Sequence, residues 1–170
     1  MTAIAGRRPR RASKTVVILT AVIVALAVAA GWLGYYWQMQ QQAANDARTS
    51  ATTAAETDVP ALLSYTFSTF SSDLAKAEAD TTSHFRSTYA NLMTSQIEAT
   101  AKANQVVTEA TVSASSVITA QPDSVTLLMF LNQQTKTKAK AESVLNDTAV
   151  RVVMRKVNGT WLVDNLTPHP

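Results

Sequence analysis

The sequence predicts an α+β chain in which one N-terminal transmembrane helix is followed by a single domain of helices packed on a curved antiparallel sheet. Three observations predict it. An uncharged apolar run, VVILTAVIVALAVAAGWLGYYW, follows a basic N-terminus. Apolar residues recur at helical spacing as far as Gln105, and beyond it the period drops to two. The last two strands meet at Asn158-Gly159, a hairpin signal because both central residues of a type I′ turn need positive φ.

The basic tail, residues 1 to 14, carries Arg7, Arg8, Arg10, Arg11 and Lys14, so the formal charge of +3 belongs to the tail. The rest of the chain is slightly acidic. A nucleic-acid-binding domain clusters its cations on the folded part, and the one such cluster, TKTKAK at 135 to 140, has no interleaved aromatics. It reads as a solvated loop, and no nucleic-acid partner is expected. Cysteine is absent, which excludes disulfides, thiolate metal sites and Cys nucleophiles.

Residues 15 to 37 are the expected transmembrane helix. At about 1.5 Å per residue the apolar run spans roughly 33 Å, close to the ~30 Å of a hydrocarbon core. Trp32, Tyr35, Tyr36 and Trp37 crowd its far end as an interfacial belt, and the basic residues all lie at its near end. The positive-inside rule then puts the N-terminus in the cytoplasm and the remainder outside. A cleaved signal ending at the AVA of residues 27 to 29 is the competing reading. The aromatic belt beyond that site favours an uncleaved anchor in the cell membrane.

Residues 38 to 59 read as a juxtamembrane helical stalk. Ala44, Ala47, Ala51, Ala54 and Ala55 recur at three- and four-residue intervals, a narrow stripe of small side chains. The stripe is either one side of a polar stalk or a close-packing surface for a partner helix. Pro60 suits the first turn of a new helix and opens the outer domain, 60 to 170. Leu62, Leu63, Tyr65, Phe67 and Phe70 follow as candidate core. SSDLAKAEAD reads as a short helix capped by Ser71 or Ser72. Phe85, Tyr89, Leu92, Met93 and Ile97 then form one amphipathic helix face.

Three strands and a closing hairpin follow. Between residues 106 and 118, Val106, Ala110, Val112, Ala114 and Ile118 share one parity and polar residues the other, giving a strand with one wet face. VTLLMFL, 125 to 131, is apolar on both parities, as a strand covered on both sides is. AVRVVMRKV, 149 to 157, runs into the Asn-Gly turn. A two-residue loop pairs Val157 with Thr160 and continues through Lys156 with Trp161 to Val153 with Asp164. One face then carries Val150, Val152, Met154, Trp161 and Val163. The other carries Arg151, Arg155 and Asp164, the carboxylate diagonal between two guanidinium groups. Trp161 is either a core anchor or a ligand stacker.

The sequence holds no recognisable catalytic constellation. Neither His84 nor His169 belongs to a sequence pattern with metal-ligand spacing. No GxSxG or SxxK accompanies the serines, and the four glycines form no phosphate-binding loop. No cofactor, metal or catalytic residue is expected, and the protein reads as a non-enzyme.

Several segments, in order and spacing, resemble the Mce-associated membrane proteins of actinobacteria. These are the basic tail with its single span, LLSY, DLAKAEADTTSHFRSTYANL, the central VTLLMFLNQ, and the closing VNGTWLVDNLTP. The loop TKTKAKAESVLND carries no motif of that family, and Thr81 to His84 depart from its usual form. The resemblance implies an NTF2-like cone and a non-enzymatic accessory subunit that stabilises an Mce-type lipid importer, with Mce proteins and permease subunits as partners. Two alternatives stand beside that reading: a lipid-binding module using the cone cavity, and a scaffold subunit of a secretion system. Arg151, Arg155 and Leu162, with Ala44, Ala47 and Ala51, are the expected partner interface. Phe85, Tyr89 and Trp161 are the expected pocket lining for a lipid ligand.

Overall fold

The computed structural model describes residues 14 to 169; the tail expected at 1 to 14 lies outside them except for Lys14. The fold is α+β, with an N-terminal apolar helix and one antiparallel sheet. It divides into two compact units at Gln41 and Gln42.

A single helix, α1 (Lys14–Leu63), runs through both units. In the first unit its large apolar side chains, Ile18, Leu26, Trp32 and Trp37 among them, are exposed. Among the described residues, this is the one helix long and apolar enough to cross a membrane. Pro60 does not begin a new helix, as the sequence suggested; it lies inside α1. Proline forfeits one backbone bond, and with only one turn left before Leu63 that loss is tolerated.

The stretch expected as a stalk is, from Gln42 onward, part of the second unit. Ala47, Ala51, Ala55, Val59 and Leu62 are buried in the same core as the sheet. The alanine stripe is therefore a close-packing surface, but for this chain's own sheet and not for a partner. Small side chains let a helix approach the large residues of the strands, so the stripe lost no burial by being narrow.

The remaining elements are β1 (Tyr65–Thr66), α2 (Phe70–Ala79), α3 (Ser83–Leu92), a π-helical turn (Met93–Ile97), α4 (Glu98–Asn104), β2 (Val107–Gln121), β3 (Ser124–Thr137), β4 (Lys140–Val157) and β5 (Thr160–His169). The sheet is a meander in the order β1-β2-β3-β4-β5, all neighbours antiparallel. Helix α2 starts at Phe70 after Thr69 rather than at a serine cap. Thr82 caps α3, accepting a hydrogen bond from the Phe85 N–H. Gln105 ends α4 in the left-handed conformation, φ 51°.

The closing hairpin has Asn158 at φ 51° and Gly159 at φ 86°, the pair of positive angles that the sequence demanded. Its register agrees from Val157–Thr160 through Met154–Val163. A bulge then intervenes and Val153 pairs with Asn165, not Asp164. Of the two arginines Asp164 consequently meets Arg155, at 3.2 Å, and Arg151 pairs across the strand with Thr167.

Bulges also correct β2. Register shifts between Val112 and Ala114 and between Val117 and Thr119 swap its parity. Val117 turns inward while Ala114 and Ile118, expected inside, are exposed. In β3, Val125, Leu127, Met129 and Leu131 are buried, but the alternate residue Phe130 is exposed. The apolar character of both parities marks a strand covered on one face only in this chain.

Candidate functional site

Two features of the second unit carry chemistry: a cavity beneath the helices and the bare outer face of the sheet. The cavity is built from the top of the domain downward. The α2–α3 link runs beside β5, with the Thr82 N–H donating to the Val163 carbonyl at 2.9 Å and the Val163 N–H to the Asp80 carbonyl at 2.9 Å. The Thr82 hydroxyl donates to Asp164 Oδ1 at 2.7 Å, and Arg155 Nε donates to Oδ2 at 3.2 Å. Arg86 donates to the carbonyls of Glu78 and Thr81, satisfying the end of α2. These bonds fix where α3 starts, and so where its apolar face points.

That face, Phe85, Tyr89, Leu92, Met93 and Ile97, forms one wall of a cavity of about 620 Å³; Leu62, Leu63, Tyr65 and Leu166 complete the apolar lining, and β3 and β5 lie opposite. The Tyr89 hydroxyl is buried and donates to the Leu62 carbonyl at 2.7 Å. Burial holds its phenol well above the ordinary range, with the charge of Glu78 and then Tyr65 adding to the effect. The tyrosine is thus a neutral, fixed strut. Its ring lies 6.1 Å from that of Phe85.

Of the residues expected to line a pocket, the structure brings Phe85 and Tyr89 together and leaves Trp161 out. Trp161 is a core anchor. It is buried, its indole N–H donates to Ser50 Oγ on α1 at 2.9 Å, and Lys156 Nζ lies 5.6 Å above its ring. Sequence reading also missed Ser50, whose polar character hid its place beneath the indole.

The expected interface divides. Ala47 and Ala51 are buried and Ala44 half-buried, so the stripe is not a free docking surface. Arg151 and Arg155 are exposed and Leu162 is half-buried, as an outward face requires. The register adds what the sequence did not reveal. Phe130 lies between Ala114 and Ala149, Leu128 lies between Ser116 and Arg151, and Arg155 is opposite Leu162. Phe130 and Ile118 are 46% and 49% exposed, large values for apolar residues of a sheet.

No known family model matches the chain. It is 31% identical over 153 residues to the uncharacterized protein Rv1362c of Mycobacterium tuberculosis, covering 89% of this chain and 70% of the relative. It is likewise 31% identical over 154 residues to outer membrane protein Rv1973 of the same organism, covering 89% of this chain and 93% of that one. Among solved structures it is similar to an IcmL-like type IV secretion system protein of Legionella pneumophila, with a TM-score of 0.61 at 14% identity over 69% of this chain and 88% of that one. A second is CagV of Helicobacter pylori, a VirB8 homolog, with a TM-score of 0.57 at 12% identity over 68% and 93%. At such identities these structures share the fold.

Proposed function

The chain belongs to the family of the mycobacterial proteins Rv1362c and Rv1973, and on that premise we propose that it is a non-enzymatic scaffold subunit of an envelope-spanning transport assembly. In this reading α1 crosses the cell membrane once, the basic tail stays in the cytoplasm and the domain from Gln42 acts outside it by contact. The observation that carries the reading is the bare outer sheet face, where Phe130, Leu128 and Leu162 lie among Arg151 and Arg155. Exposed aromatic and arginine side chains on one face are the composition of a protein interface.

Two lines of support narrow the assembly. The fold is shared with type IV secretion system proteins described as IcmL-like and as a VirB8 homolog. This likeness fits a scaffold role and favours the secretion-type reading over the importer. The sequence resemblance to Mce-associated proteins, with its NTF2-like cone, favours instead an Mce-type lipid importer with Mce proteins and the permease as partners. The name of Rv1973, outer membrane protein, agrees with an envelope location.

The test is purification of the full chain from its own membranes in mild detergent, with and without Arg151→Glu and Arg155→Glu together. The scaffold reading expects named transport components at fixed stoichiometry with the wild type and their loss with the double variant at unchanged melting. Secretion-system subunits in the complex decide for one assembly, and Mce and permease subunits for the other. A chain that purifies alone in both forms overturns the reading.

A further inference from the structure

We infer that the cavity behind α3 is a binding site for a single-chain amphiphile with an uncharged polar end, a function beyond the scaffold role and independent of it. A volume of about 620 Å³ is far larger than the water-sized voids of ordinary packing, and falls in the range of roughly 300–1,000 Å³ typical of small-molecule sites. Its walls are mainly aliphatic and aromatic, from Leu62, Tyr65, Phe85, Leu92, Met93 and Ile97.

The polar groups define the class of ligand. No lysine or arginine belongs to the lining, whose one basic side chain is the exposed His84, so a carboxylate or phosphate finds no buried cation there. The one lining carboxylate, Asp164, has both oxygens engaged, by Thr82 and by Arg155. The Tyr89 hydroxyl is likewise occupied by the Leu62 carbonyl. Apart from that imidazole, what remains to meet a ligand are neutral groups. The amides of Gln133 and Asn165 and the hydroxyls of Thr88 and Thr167 line the cavity, and their side chains bond nothing among the described residues. Uncharged donors and acceptors beside an apolar space suit a hydroxyl, ester or amide carried on a hydrocarbon chain.

The backbone supplies a second, independent sign. The helix lining the cavity is interrupted by the π-helical turn Met93–Ile97, and the first and last residues of that turn both face the cavity. Such turns are costly insertions that concentrate at functional sites. Here the insertion lies in the cavity wall, where Met93 joins it to the core.

The experiment uses the full chain in lipid nanodiscs with two photoreactive probes, a diazirine-bearing long-chain alcohol and the matching carboxylic acid, followed by peptide mapping of the adducts. Labelling of α1 between residues 14 and 41 reports the membrane and serves as the internal reference. The proposal expects the alcohol to label residues 84 to 97 several-fold more than the acid does. It also expects Thr88→Trp, a change at an exposed lining position, to suppress that labelling at least fivefold while the reference is unchanged. Leu92→Glu, also at a partly exposed lining residue, gives the same reading should the tryptophan variant fail to fold. Adducts confined to α1, or cavity adducts that survive the folded variants, overturn the site. Equal labelling by the acid overturns the uncharged polar end.

Discussion

The two halves of α1 invert the usual rule about which residues a protein hides. In the first half Trp32 is 74% exposed and Leu26 65%, while in the second half Ala51 and Ala55 are wholly buried. Bulk does not explain the difference, because the larger side chains have more to gain from leaving water. The second half instead meets a sheet whose own large residues, Leu127, Met129, Val152 and Met154, fill the space between, and only a small side chain fits beside them. The described side chains of the first half are exposed, and a stretch so apolar has the composition that a bilayer accommodates. One helix thus carries two surfaces, an exposed one of large apolar side chains and a buried one of small ones.

The sharpest way to break that comparison is to remove what the second half packs against. Trp161→Ala takes away a buried indole together with its bond to Ser50, and thermal or denaturant unfolding of the domain is expected to lose about 3–5 kcal/mol. A variant that melts like the wild type would return the ring to the surface. Next in size is Ala51→Leu, which overpacks a fully buried position and is expected to cost about 1–3 kcal/mol. The same exchange at Ala27, in the exposed half, is expected to leave domain unfolding unchanged; equal effects at the two positions would dissolve the distinction between the halves.

A pH measurement sharpens the contrast further. Asp58, half-buried on the second half, has its carboxyl pushed up from 3.8 to about 6, by loss of water first and by the charge of Asp80 second. Since the folded pKa lies above the unfolded one, the folded state holds the proton more tightly. The stability from this group is complete below about pH 4 and is lost as pH rises towards 6. Asp58→Asn is expected to raise stability at pH 7 by roughly 1 kcal/mol, the full shift being discounted because water still reaches half of the side chain. Unfolding of the pair at pH 4 and pH 7 checks it: a gap of the same size at both values removes burial of the charge as the cause.

The smallest effect belongs to the outer face. Arg155→Ala breaks an ion pair whose arginine is exposed, and is expected to change stability by about 0.2–1 kcal/mol. A loss several times larger would mean that Asp164, also bonded by Thr82, depends on the guanidinium to hold α3 in place.

Local physics made much of this molecule legible from its residues. Charge-free length located the apolar part of α1, the 3.6-residue period located the face of α3, and the positive φ required at Asn158 and Gly159 located the hairpin with its inner residues. These properties depend on neighbours close in the chain. The cavity was half legible for the same reason, since Phe85 and Tyr89 share one helix face, whereas their partners on β3 and β5 come from distant segments.

Tertiary structure alone decided the rest. An alanine stripe looks the same whether it faces water, a partner or its own sheet, and only the arrival of β3 and β4 made it core. Bulges in β2 and β5 turned Ile118 outward and separated Asp164 from Arg151, because one extra residue reverses the parity of everything beyond it. Phe130 reads as a covered residue in its apolar strand, and it is bare because the helices of this chain cover only the other face of the sheet. Period and composition state what each side chain prefers, but which surface reaches it is set by contacts between segments far apart in sequence.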